Sequence, residues 1–163
     1  MHGYTKDPLN IPITLASHFV DVGNPGGSQN EDALYSDTIP GGTLYNDGNM
    51  IRAIYGGSGS NTNVGKSLRI RFGGFLILDT TADGNTHFPN GGTPNWHCFV
   101  EIIRIGVGAI RSVTEMNWDT TTIQAYKTTI SVDLTVGQIL KISAISGNTN
   151  DLFAKMGKIY FIP

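Results

Sequence analysis

The sequence predicts an all-β protein, an antiparallel two-sheet β-sandwich, and three observations carry that reading. Apolar residues fall at every second position in residues 66–79, 128–134 and 140–146. Such alternation buries one face of a strand and wets the other. Gly/Asn/Asp-rich turns separate these segments at intervals of roughly 8–12 residues. No stretch sustains the apolar period of a helix. About eight strands fit this spacing, and a jelly roll is the natural eight-strand form. The chain has 163 residues, the length of one domain with one proper core.

The first 37 residues read as an extended N-terminal arm and residues 38–163 as the sandwich. Pro8, Pro12 and the cluster Asn24-Pro25-Gly26-Gly27 interrupt regular structure in the arm. Leu9, Ile11, Ile13, Leu15, Phe19 and Val20 make it too apolar for a disordered tail. Ile11, Ile13 and Leu15 alternate, so a short strand is expected there. Such an arm needs a surface to lie on, either its own domain or a neighbour.

From Thr38 the punctuation becomes regular. Ile39-Pro40-Gly41-Gly42 and Asn46-Asp47-Gly48-Asn49 are turns. Residues 50–55 form a strand, and the Gly/Ser/Asn run 56–65 reads as a flexible loop. In residues 66–72, Leu68, Ile70 and Phe72 share one face, with Arg69 and Arg71 on the other. Gly73-Gly74 is a tight turn or bulge before a strand at 75–78. Residues 79–95 are a polar loop. Residues 96–105 alternate imperfectly, since Phe99, Ile102, Ile103 and Ile105 put apolar groups on both faces. That strand is either covered on both sides or bulged. Residues 109–116 pair with it across Gly106-Val107-Gly108. One or two strands follow at 123–134, then strands at 139–146 and 152–162.

Composition excludes several classes of function. Net charge is -2, which gives no general drive toward nucleic acid. Residues 1–50 hold one base (Lys6) against six acids (Asp7, Asp21, Glu31, Asp32, Asp37, Asp47). The remainder holds ten bases against seven acids. An acidic first part beside a mildly basic body is compatible with contacts between neighbouring subunits. No apolar run approaches the roughly 20 residues of a membrane helix. The first residues lack a basic start and apolar block, so no secretory signal is expected. Cys98 is the one cysteine. It permits no internal disulfide and reads as a buried small hydrophobe.

Chemistry is hard to find. His97 and Cys98 are adjacent on a strand, point to opposite faces and cannot chelate together. No His or Cys pair has zinc-like spacing. The run from Asp79 to Asn85 lacks the alternating acids and closing glutamate of an EF-hand, so an Asx-rich turn is the better reading. The segment Gly57-Ser58-Gly59-Ser60 precedes no helix, so it is neither a nucleophile elbow nor a phosphate loop. Glu101 and Arg104 read as a structural or surface ion pair. No catalytic residue, metal or cofactor is expected. Among the aromatic residues, Trp118, between Asn117 and Asp119, is the first candidate for stacking against a sugar.

Three segments carry a resemblance. They are TIPGGTLYNDGNMIRA (38–53), NVGKSLRIRFGGFLILDT (63–80) and WHCFVEIIRIG (96–106). Together they resemble a jelly-roll module of tailed-bacteriophage virions, found in tail fibres, tail tips and capsid-attached proteins. The resemblance spans about residues 38–163 and lies in pattern rather than in any catalytic motif. It implies a non-enzymatic structural protein on the outer capsid surface, assembled in the host cytoplasm, and commonly a homotrimer. A short arm before one sandwich suits a capsid decoration (cement) protein better than a long tail fibre. The expected partners are the major capsid protein and the chain itself, with no nucleic acid and no membrane. Leu9, Ile11, Ile13, Leu15 and Phe19 of the arm, with Arg69 and Arg71, are the expected partner contacts. Two alternatives stand beside this. One is a tail-tip or receptor-binding protein that meets host glycans through loops 56–65 and 79–95 and Trp118. The other is a carbohydrate-binding module.

Overall fold

The computed structural model describes residues 11–26, 28–62, 64–81, 94–118 and 121–163. Among them are eleven strands in two antiparallel sheets. The larger holds β1 (Ile13–His18), β2 (Val22–Gly23), β4 (Met50–Gly59), β7 (Asn95–Gly106), β8 (Ala109–Trp118), β9 (Thr121–Ser131) and β11 (Leu152–Ile162). Its order is β1-β11-β4-β7-β8-β9, with β2 also pairing with β11. The smaller holds β3 (Ser28–Ile39), β5 (Lys66–Phe72), β6 (Phe75–Asp79) and β10 (Gln138–Ser146) in the order β3-β10-β5-β6.

This order is a jelly roll. The chain crosses between the sheets so that its first and last strands lie together, and β3 lies beside β10. Eight strands make the roll: β1 (with β2 continuing it), β11, β4 and β7 facing β3, β10, β5 and β6. The hairpin β8–β9 is an addition between β7 and β10 that widens one sheet. It accounts for the excess over eight strands.

The core lies between the sheets and follows the predicted alternation. Ile51, Ala53 and Tyr55 of β4 and Cys98, Val100 and Ile102 of β7 meet Leu68, Ile70 and Phe72 of β5 and Leu140, Ile142 and Ala144 of β10. All twelve are fully buried. Burial pushes the Cys98 thiol far above its ordinary range, as expected of an inert core cysteine.

Three features differ from the sequence reading. Residues 56–59 complete β4 and are not loop. A Cβ on Gly57 would lie 1.8 Å from the Phe153 carbonyl oxygen and 2.6 Å from the Trp96 ring. The glycines there admit a neighbouring strand and an indole, rather than confer looseness. Residues 96–102 alternate regularly, and the irregularity is a register shift between Arg104 and Gly106. Lastly, β1 and β2 pair with β11, while β3 pairs with β10 along its length. Residues 13–37 therefore supply strands to both sheets, and β3 runs across the boundary at residue 37.

Turns behave as their residues dictate. Gly73 and Gly74, at φ 55° and 85°, turn β5 into β6. Gly48, at φ 91°, closes the turn in which the Asn49 amide donates to the Asn46 carbonyl at 3.1 Å.

Candidate interaction surface

The expected contact residues separate into four groups. Leu9 lies outside the described residues. Ile11, Ile13 and Phe19 are exposed, Phe19 at 80%, whereas Leu15 packs against the core. Arg69 and Arg71 are engaged within the chain. Arg71 donates to Glu31 through Nε at 3.0 Å and Nη2 at 3.0 Å. Arg69 donates to Asp79 at 3.0 Å and lies 3.6 Å from Glu31. Lys141 Nζ reaches Glu31 at 2.9 Å and the Ser143 hydroxyl donates to it at 2.8 Å. Burial alone would raise the Glu31 carboxyl, but the bonds from Arg71, Lys141 and Ser143 outweigh it and bring it to about 2. The two arginines do meet an acid from the first 37 residues, but it belongs to their own chain.

Trp118 is not a surface platform. It is 2% exposed and stands opposite Trp96 in the β7–β8 register. The inward phase of β8 buries it, so its ring face is closed to a glycan. Glu101 and Arg104 do not pair with each other, because residues three apart on a strand point to opposite faces. Glu101 accepts from Arg52 Nη2 at 2.6 Å. Arg104 donates to Asp47 at 3.0 Å and to the Leu44 carbonyl at 2.9 Å.

Among the described residues, the outer face of β4, β7, β8 and β9 combines exposed apolar and charged side chains. Register aligns Arg52, Glu101, Val113 and Tyr126 in one row across the four strands. The next row is Ile54, Phe99, Glu115 and Gln124. Phe99 is 42% exposed, Val113 44% and Tyr126 57%. Arg52, Ile54, Phe99, Glu101, Val113 and Glu115 line a shallow groove. Glu115 accepts from the Asn117 and Gln124 amides, each at 2.9 Å. Those bonds hold its carboxyl below the usual range. The result is an apolar strip bordered by fixed charges and amides. The sequence carried a signal for it in Phe99 and Ile103, apolar residues at outward positions of β7. Alternation alone assigns such positions to water.

Elsewhere the titratable groups serve the fold. Asp151 is buried and accepts from the Ser60 hydroxyl at 2.5 Å, the Thr62 hydroxyl at 2.7 Å and the Ser146 hydroxyl. Burial opposes ionisation there, and the three hydroxyls overcome it to lower the carboxyl. Among the described residues, no group of three His, Cys, Asp or Glu side chains is placed to hold a metal ion. Tyr55, Trp96, Ser112 and Thr114 bury polar atoms without a hydrogen-bond partner. All four lie on the inner face of β4, β7 and β8, with Ser112 and Thr114 two residues apart on β8.

No family and no curated protein matches the chain. Among solved structures it is similar to the CBM36-1 domain of a multidomain xylanase from the hindgut metagenome of Trinervitermes trinervoides. Identity is 11%, over 91% of this chain and 98% of that one, with a TM-score of 0.30. A likeness of that degree carries no argument about function.

Proposed function

We propose that this chain is a non-enzymatic structural protein of a tailed-bacteriophage particle, a capsid decoration protein that docks through the outer face of its larger sheet. The observation that carries the reading is the strip of Ile54, Phe99, Val113 and Tyr126 on that face. Contiguous apolar side chains rimmed by charge are the pattern of a protein-contact surface. The resemblance of residues 38–163 to virion jelly-roll modules supplies the particle and the partner, the major capsid protein. Residues 13–18 and 22–23 pair with β11 and residues 28–39 pair with β10, which favours the sheet face over a free arm as the main contact. The docking role passes to the sheet face, with exposed Ile11 and Phe19 beside β1 as secondary contacts.

A second reading rests on the same groove. Phe99 and Tyr126 beside Arg52, Glu101, Glu115 and Gln124 offer rings to stack on sugar and groups to hold its hydroxyls. Under that reading the chain is a receptor-binding protein at the tail tip.

Electron microscopy of intact particles, labelled with antibody against this chain, tests the proposal. Label spread over the shell is the expected result. Label confined to the tail tip favours the glycan reading, and unlabelled particles overturn both.

A further inference from the structure

Among the described residues, the edge of β9 has a longer unbroken run of pairing than the edges of β1, β3 and β6. An open edge is a row of unpaired backbone donors and acceptors, and proteins guard such rows with shortness, bulges or charge. β1 has six residues and a register shift between Thr14 and Ala16. β3 carries Glu31, Asp32 and Asp37 and shifts register twice against β10. β6 has five residues and ends at Asp79. β9 has eleven residues, with Lys127 its only charge. Its register against β8 shifts once, between Lys127 and Ile130, and its pairing is unbroken over the seven residues from Thr121 to Lys127. Among the described residues, no strand lies beyond it.

We propose that β9 is a self-association edge, pairing antiparallel with β9 of a second copy about a twofold axis at Gln124. The choice of a second copy follows from the strand's own symmetry. Gln124 is the middle of the unbroken stretch, so the axis sets Gln124 against Gln124 and Thr122 against Tyr126 on the outer face. It sets Ile123 against Ala125 on the inner face and Lys127 against Thr121. No like charges meet, and an aromatic residue faces a β-branched one, a favourable cross-strand pair. The interface is isologous, so it closes at two copies and does not propagate. It also continues the outer face of one sheet into the other, joining the two apolar strips. A threefold contact would have to use another surface.

Two double variants of the full chain test this. Thr122→Lys with Tyr126→Lys places lysines opposite each other twice across the axis. Thr122→Glu with Tyr126→Lys places opposite charges there instead. Both lose the same tyrosine ring and the same Thr122–Asn117 hydrogen bond, so their difference reports only the pairing across the interface. Sedimentation over a concentration series is expected to show a wild-type dimer. The lysine–lysine variant should dissociate about tenfold or more readily than the glutamate–lysine variant. Equal dissociation constants for the two variants overturn the proposal. So does a wild-type chain that is monomeric throughout, or a trimer indifferent to both changes.

Discussion

Arg71 holds Glu31 with two nitrogens, joining β5 to β3 across the intervening strand β10. Lys141 and Ser143 of β10 reach the same carboxylate from beneath. One acid thus ties three of the four strands of the smaller sheet. Glu31→Gln keeps the shape and removes the charge, leaving Arg71 and Lys141 short of a partner. We expect a loss of roughly 1.5–3 kcal/mol in chemical denaturation at neutral pH.

The same cluster sets an acid limit. The Glu31 carboxyl falls from an ordinary 4.5 to about 2 on folding. A depressed value means that the contribution is fully present above the ordinary value. It fades as pH falls toward 2. Wild-type stability should therefore decline between these limits, and Glu31→Gln should flatten that part of the profile. Superimposable profiles for the two proteins would remove Glu31 as the cause.

Asp151 and Lys66 make a buried clasp at one end of the sandwich. Lys66 is 1% exposed and donates to the Thr62 carbonyl at 2.8 Å, while the Thr62 hydroxyl donates to Asp151. Asp151→Ala strands three hydroxyls and leaves the lysine charge without its nearby counter-charge. Removing one member of a buried charged group costs about 3–5 kcal/mol. A drop in thermal midpoint, with the far-ultraviolet spectrum kept at low temperature, is the expected result. An unchanged midpoint would mean that the clasp is dispensable.

Gly57 shows why part of the fold was hidden. Strands with regular alternation, such as β5 and β10, were legible because side-chain period reports directly on burial. Gly56 to Gly59 carry almost no side chain to report on, so the end of β4 looked like a loop. What keeps them extended is supplied from outside by Phe153 and Trp96. The sheet order was likewise beyond local reading, because β1 meets β11 from the far end of the chain. Gly57→Ala forces a methyl against backbone at 1.8 Å, and strands must separate to admit it. We expect at least about 3 kcal/mol lost, beyond the usual overpacking range. Gly74→Ala has open space around its Cβ and only an unfavourable φ of +85° to bear. It should cost about 1–2 kcal/mol. Reversed order in urea titrations would contradict the packing argument.

Trp118 illustrates the opposite error. Its flanking polar residues Asn117 and Asp119 gave it the look of a surface ring. The phase of β8 decides otherwise, since Ile110, Ser112, Thr114, Met116 and Trp118 all point inward. Trp118→Ala should cost about 3–5 kcal/mol, as for other buried aromatic deletions. Any loss of glycan or particle binding in that variant would follow from unfolding. A denaturation midpoint equal to wild type would show instead that the ring is not part of the core.

Phe99 separates docking from stability in a way that Trp118 cannot. It is partly exposed, faces outward from β7, and has Ile54 and Glu115 as its register neighbours. Phe99→Asp puts a carboxylate between Glu101 and Glu115 on the apolar strip. The core beneath is untouched, so the stability lost should be about 1 kcal/mol, the cost of setting a carboxylate opposite Glu115. Burying the new charge against a partner is costly unless the partner neutralises it. Binding to undecorated shells should therefore weaken by about tenfold or more, near 1.4 kcal/mol. Phe99→Tyr keeps the ring and should bind nearly as wild type. If both variants bind shells as tightly as wild type, the docking face lies elsewhere. If only sugar binding is lost, the groove belongs to the receptor reading.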